Sequence, residues 1–328
     1  MRHILLITGL LFLLFLAAPY VIISLLGPSP TEASAHTDLV VFAENQSQNN
    51  FVYISPGGVD ELDDFERYLI GVVAAEMPAL FHIEALRAQA VASRTYAIYS
   101  MMHLGMDEFD YSRIGEIWQA YISEAEMRRR WGNNFDTHFS TISEAVSSTR
   151  GEILVYNGEP IVAVFHAFSG GMTEYSGNVW REQRPYLRSV NSNFYRYRAD
   201  FESVREFSGN EFISLLQREF PDIVFESGDI AEQIIINERT GAGYITRLTI
   251  GNKIMDGALA RRLLGLRSTN FTIHRELDKI VLHVRGYGHG AGMSQVGAHS
   301  LAGMGYSYID ILKHYYYGVE LAVYEHRR

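Results

Sequence analysis

Two charged side chains on apolar helical faces are the first candidates for chemistry in this sequence. Leu62, Phe65, Leu69, Val72 and Val73 recur at helical spacing, and Glu76 takes the next position on that stripe. Pro78 follows, so the helix should end near Met77. A second helix is expected from about Ile83, where Leu86, Ala90, Arg94 and Ile98 stack at i+4 and bring an arginine onto the inward face. A carboxylate at a helix end, with an arginine on a facing helix, is either a structural ion pair or a working acid. Pattern alone leaves both open.

Two glycine-rich segments could line a groove. Ser169-Gly170-Gly171-Met172-Thr173-Glu174 follows a strand-like run, and its glycines permit a tight turn with exposed amides. Such hydroxyls and amides suit sugar hydroxyls, although the segment reads equally as a plain turn. Arg285-Gly286-Tyr287-Gly288-His289-Gly290-Ala291-Gly292-Met293-Ser294-Gln295 lies near the end of the chain. Its glycines mimic a dinucleotide loop, but no βαβ unit with an acidic ribose ligand follows. A loop of close backbone approach, presenting amides and His289, is the better reading. His166, His289 and His299 lack HExxH or HxH spacing, and no cysteine accompanies them, so no metal or other cofactor is expected. Gly292-x-Ser294 begins a nucleophile elbow, but Val296 stands where glycine is needed.

The elements that would position these residues read as α+β, because strands and helices interleave irregularly. Residues 39–43 and 51–54 resemble short strands. Ile117–Trp131 and His138–Ser148 read as helices, and 105–150 as a mainly helical inserted lobe. Ile153–Tyr156, Asn157-Gly158 and Ile161–Phe168 form a hairpin signal, the second strand starting just after Pro160. Asn210–Phe220 is an expected helix. Strands are expected at Gln233–Asn237, Tyr244–Ile250, Phe271–His274 and Lys279–Val284, with a helix at Asp256–Leu264. Helices at Ser294–Ala302 and Ser307–Tyr315 should close the domain.

A net charge of −10 argues against a chain-wide nucleic-acid binder, although Arg181, Arg184, Arg188, Arg196 and Arg198 crowd one stretch. With no cysteine, disulfides and thiolate metal sites are excluded. Ile4 to Leu26 carries no charged side chain and would span roughly 34 Å as a helix, enough for a bilayer core. Arg2 before it leaves the rest of the chain outside the cytoplasm. Ala33-Ser34-Ala35 also resembles a signal-peptidase site, but the apolar run favours an uncleaved anchor. The expected organisation is a cytoplasmic tip (1–3), a single transmembrane anchor (4–26), a linker (27–37) and an extracytoplasmic domain (38–323) at the cell membrane.

Three separated segments carry a family likeness. They are Ala75-Glu76-Met77-Pro78 with ALRAQAVASRTYA at 85–97; Phe165–Thr173 with Val179-Trp180; and RGYGHGAGMSQVGA at 285–298 with His314-Tyr315-Tyr316. GLRSTNFTI at 265–273 adds to them. In order and content they resemble the stage II sporulation protein D family, which includes the amidase-enhancer proteins. The resemblance implies a lytic transglycosylase acting on denuded peptidoglycan glycan strands, in septal wall remodelling during engulfment. It implies a cell-wall amidase and a membrane protein of the engulfment machinery as partners. Glu76 matches the catalytic glutamate and Arg94 an active-site arginine. The alternative is a non-catalytic glycan-binding activator of an amidase. Some relatives carry a cysteine-and-histidine zinc site after the second helix; His103 alone cannot replace it. Val296 stands for an aromatic residue, and Tyr317 for a proline, of the family pattern.

One lytic carboxyl group must be protonated before reaction and basic afterwards. Arg94 is therefore expected not to close a bidentate pair with Glu76, and instead to anchor substrate, such as the lactyl carboxylate of muramate, or to orient the loop. Ser169, Gly170, Gly171, Thr173, His289, Ser294 and Gln295 complete the expected groove.

Overall fold

In the computed structural model, residues 63–180, 182–194, 202–276 and 279–324 are described. The chain is mixed α+β, organised around two hydrophobic cores. The expected anchor, and the strands at 39–43 and 51–54, lie outside the described residues, as do Arg181, Arg196 and Arg198. Among the described residues no helix is long and apolar enough to cross a membrane.

The first core begins with α1 (Asp64–Glu76), whose N-cap Asp63 accepts a hydrogen bond from the Glu66 amide at 2.9 Å. Its apolar stripe packs on α2 (Ile83–His103), a long helix buried over most of its length. Helix α3 (Glu124–Trp131) and helix α4 (Phe135–Ser147) follow. Residues 105–150 are not an inserted lobe: Met106, Ile117, Ile122, Met127, Phe135 and Ile142 are buried in the same core as α1 and α2.

Strand β1 (Glu152–Tyr156) turns back through Asn157 and Gly158, both at positive φ, into the short β2 (Glu159–Pro160). The sequence places this turn correctly. The second strand ends at Pro160 and does not run on to Phe168: the Ile161 amide still reaches the Leu154 carbonyl at 3.1 Å, but the Leu154 amide is diverted to Thr95 Oγ1 at 2.9 Å. Further along, β3 (Phe165–His166) pairs in parallel with β10 (Met293–Ser294), which joins the two glycine-rich segments. Short α5 (Ser176–Trp180) follows the first of these segments. Helices α8 (Gln295–Gly303) and α9 (Tyr308–Tyr315), then β11 (Glu320–Val323) on the free edge of β1, complete this core.

The second core belongs to residues between the two glycine-rich segments. One sheet has the order β4 (Glu202–Ser208), β9 (Lys279–Arg285), β8 (Asn270–Glu276); the other runs β5 (Ile234–Arg239), β6 (Ile245–Ile250), β7 (Lys253–Asp256). Helices α6 (Gly209–Gln217) and α7 (Gly257–Leu264) pack against them through Phe212, Leu216, Ala260 and Leu264. The residues with a hydrophobic core of their own are thus these, not 105–150.

Candidate active site

Glu76 is the last residue of α1. Met77 turns to extended backbone (φ −133°, ψ 137°), which frees the side chain from the helical surface. The chain then reaches α2 through Pro78 and the N-cap His82. Glu76 Oε1 accepts the Ala120 amide at 3.2 Å. Its backbone carbonyl accepts Gln295 Nε2 at 2.9 Å. Gln295 Nε2 also reaches Gln89 Oε1 at 3.3 Å, and Gln89 Nε2 donates to Ser93 Oγ at 3.0 Å. The Ser93 carbonyl accepts Gln119 Nε2 at 3.1 Å, while Gln119 Oε1 accepts the Tyr68 hydroxyl at 3.3 Å. Because Ala120 follows Gln119, the network closes into a ring that grips Glu76 by both its carbonyl and its carboxyl group.

The residue is half-buried, so solvent reaches one side of a carboxyl group otherwise crowded by protein. Burial raises its pKa to about 8, and the Ala120 amide opposes this in part. Neither cause is a charged neighbour. Glu76 accordingly holds its proton at neutral pH, the state that a general acid requires.

Arg94 is elsewhere engaged. Its Nε and Nη2 atoms form a bidentate pair with Glu66, at 2.8 and 2.7 Å. Nη2 also donates to the Val146 carbonyl (3.2 Å), and Nη1 to the Glu152 carbonyl (3.1 Å) and Thr149 Oγ1 (3.5 Å). Both charged groups are almost wholly buried, with 1% and 4% of the side chains exposed. A guanidinium so enclosed presents no face to substrate. The expected anchoring role therefore gives way to a structural one, tying α1 and α2 to the α4–β1 junction. The expectation that Arg94 leaves Glu76 unpaired agrees with this geometry.

The other expected groove residues separate into distinct sets. Gln295 meets Glu76 directly. Ser294 is buried, and its hydroxyl caps α8 by accepting the Gly297 amide at 3.2 Å. Thr173 is also buried: its hydroxyl donates to the Arg188 carbonyl and accepts the Val190 amide. The Gly170 amide donates to the Tyr244 hydroxyl at 3.4 Å, and a side chain there would strike Asn270. Gly171 sits at φ 121°, backbone open to glycine alone at little strain, and its carbonyl accepts the Ser192 amide.

Ser169 and His289 belong to a buried cluster with His166, with the half-buried Trp180 against it. His166 Nδ1 lies 3.1 Å from the Ala291 carbonyl and must donate to it, so in the neutral ring Nε2 accepts the Ser169 hydroxyl at 2.8 Å. Burial lowers the His166 pKa to about 4. His289 Nδ1 accepts the Ala291 amide, and its ring lies 4.8 Å from Trp180. His299 is apart from both, accepting the His82 amide and stacking on Phe81. Among the described residues, no group of three or more His, Asp or Glu side chains is arranged around a metal position.

The segment 117–123 is the part of the site that the sequence reading misplaces. It crosses α1 in non-helical form, with the Ile122 amide bonded to the Gly71 carbonyl at 3.2 Å. The missed signal was Ser123-x-x-Glu126: Ser123 caps α3, so the helix starts only at Glu124. Gly71 makes the crossing possible, since a Cβ there would lie 2.3 Å from the Tyr121 ring and 2.7 Å from the Ile122 carbonyl. Alanine normally stabilises a helix by about 1 kcal/mol over glycine. Gly71→Ala should instead destabilise by roughly 1–3 kcal/mol, as overpacking does, by pressing on Tyr121 and Ile122. Denaturation midpoints of the purified variant check the effect.

A stage II sporulation protein family model matches residues 59–156, which span α1, α2 and the crossing segment. Stage II sporulation protein D of Bacillus subtilis (strain 168) is 38% identical over 260 residues, covering 78% of this chain and 74% of the relative. The chain belongs to the stage II sporulation protein D family. The Bacillus amyloliquefaciens member is 36% identical over 263 residues, covering 78% of this chain and 74% of its own. The Bacillus subtilis protein named Amidase enhancer is 28% identical over 306 residues, covering 78% of this chain and 40% of its own. This membership places the chain among sporulation proteins.

Proposed function

We propose that this member of the stage II sporulation protein D family is a membrane-anchored lytic transglycosylase, with Glu76 as its single acid and base. The reading rests above all on one observation: a partly accessible carboxyl group, locked at a helix end, whose burial keeps it protonated to about pH 8. Hydrolytic glycosidases generally divide the work between two carboxylates. Intramolecular attack needs only one.

In the proposed reaction, Glu76 gives its proton to the oxygen joining N-acetylmuramate C1 to N-acetylglucosamine, and the C1–O bond breaks. The carboxylate then takes the proton of the muramate C6 hydroxyl while O6 bonds to C1. The products are a free N-acetylglucosamine hydroxyl and a 1,6-anhydromuramate end. Glu76 is again protonated, and water is not consumed. The Ala120 amide stabilises the transient carboxylate, and Gln295 fixes the backbone from which it projects. Denuded strands are the proposed substrate, in septal wall remodelling during engulfment, with an amidase and a membrane protein as partners. Ser169, Gly170, Gly171, Thr173, His289 and Ser294 serve this site by shaping the loops beside it.

The relative named Amidase enhancer supports a second reading, glycan binding that stimulates an amidase without cleavage. Incubation of the purified protein with amidase-treated glycan strands separates the two. Fragments one water lighter than hydrolytic ones are expected from the wild type. Their persistence in Glu76→Ala would sink the assignment, and faster amidase turnover without such fragments would favour the enhancer reading.

A further inference from the structure

The residue before Gln119 is out of keeping with its surroundings. Trp118 adopts φ 58°, a left-handed conformation that strains a bulky L-residue by roughly 1–2 kcal/mol. Its side chain is 50% exposed. Burial therefore does not explain why a tryptophan is kept at this position.

The mount beneath it is rigid. On one side Ile117 is fully buried and its amide is bonded to the Ile114 carbonyl. On the other, Gln119 is held by Tyr68 and Ser93, Ala120 by Glu76, and Ile122 by Gly71. Tyr121 stacks on Tyr68, ring centroids 5.6 Å apart. Ala120, whose amide meets Glu76, lies two positions past Trp118, a chain distance of at most about 7 Å between their Cα atoms. The fold thus accepts strain to hold a half-exposed indole on the segment that supplies the Ala120 amide to the candidate acid. Leu80, 80% exposed and four residues past Glu76, adds a second apolar surface on the chain leaving that residue.

We infer that Trp118 is a stacking platform for an N-acetylhexosamine ring of the glycan strand, seating the strand for proton transfer from Glu76. Pyranose rings present a face of C–H groups with partial positive charge, which complements the negative face of the indole. A flat, rigid aromatic surface gives this contact at small loss of conformational freedom. The inference rests on the glycan-cleaving reading for its ligand class, but binding and cleavage can be measured separately.

The test uses the full chain with amidase-treated glycan strands. Trp118→Gly is the informative variant, because glycine accepts φ 58° without strain and the fold should be at least as stable. Trp118→Gly and Trp118→Ala should raise KM by roughly tenfold or more, the usual scale for truncating an aromatic anchor, with kcat within about threefold. Trp118→Tyr should recover most of the affinity. In a Glu76→Gln background, co-sedimentation with the strands should weaken by the same factor. Trp131 and Trp180 are the other two tryptophans, so a glycan-induced fluorescence change lost in Trp118→Tyr reports this ring. Unchanged KM and co-sedimentation in Trp118→Gly would overturn the platform, even if the wild type cleaves glycan. Absence of cleavage, with Trp118-dependent co-sedimentation retained, would overturn the catalytic reading and leave the platform standing.

Discussion

Glu76→Gln is expected to lose at least ~10³-fold in glycan cleavage and yet to be more stable than the wild type at pH 8. Glutamine preserves the shape and can still accept the Ala120 amide, so the network around it survives. It has no proton to give. The stability gain follows from linkage. Burial lifts the Glu76 pKa from 4.5 in the ordinary state to about 8 in the folded one. Below pH 4.5 both states are protonated, and the two proteins should differ little. As pH rises towards 8, the unfolded chain ionises while the folded chain retains its proton, so wild-type stability falls. The glutamine variant escapes this loss, and its advantage should reach on the order of 2–4 kcal/mol at pH 8. Denaturation curves at pH 4.5, 6 and 8 show whether the gap widens. Wild-type kcat should fall in the same range, as pH passes 8 and the acid form disappears. A gap independent of pH would mean that Glu76 does not carry the proton.

Arg94→Ala should be the most damaging single change to the fold, at roughly 3–5 kcal/mol, because it strands the Glu66 carboxylate in the core. Glu66 would keep only the Gly151 amide at 3.1 Å, and the Glu152 carbonyl would lose the Arg94 donor, whereas the Val146 carbonyl would keep the Thr149 amide at 3.2 Å. Arg94→Lys keeps the charge but not the fork, so it should fold with a lower melting temperature. Pairing either change with Glu66→Gln should reveal a coupling energy of about 2 kcal/mol or more, as expected of residues in one network. Per folded molecule, KM for glycan should stay within about threefold of wild type. A large KM increase in stable Arg94→Lys would restore the substrate-anchoring role.

Why the sequence did not point to Glu66 as the partner of Arg94 is visible in α1. Glu66, Ile70, Val73 and Met77 form a second helical row beside the stripe that ends in Glu76, so two carboxylates share the inward surface. Ten residues of helix separate them by about 15 Å. One arginine cannot serve both, and spacing within a helix does not say how far along its neighbour it docks. Elements set by local chemistry were legible: the Asn157-Gly158 turn, the start of α9 at Ser307, and four of the six strands of the second core to within two residues. Strands β4 and β7 were hidden: the pattern of β4 is mostly exposed and its pairing with β9 is a long-range choice, and β7 is only four residues long. The site was half legible for the same reason. Glu76 announces itself as a carboxylate on an apolar stripe, whereas Ala120 contributes a backbone amide that leaves no periodic trace.

The position of Glu76 at the end of its helix has an electrostatic consequence. Thirteen residues of aligned peptide dipoles place a partial negative charge, close to half an electron, at that terminus. This field adds to burial in disfavouring the carboxylate. In the proposed reaction it also works on the second half. Once the proton has moved to the departing sugar, the new anion sits against the negative pole of α1 and regains a proton readily. The same helix that withholds the charge before bond cleavage thereby drives its removal afterwards, so that a single residue can serve in both directions.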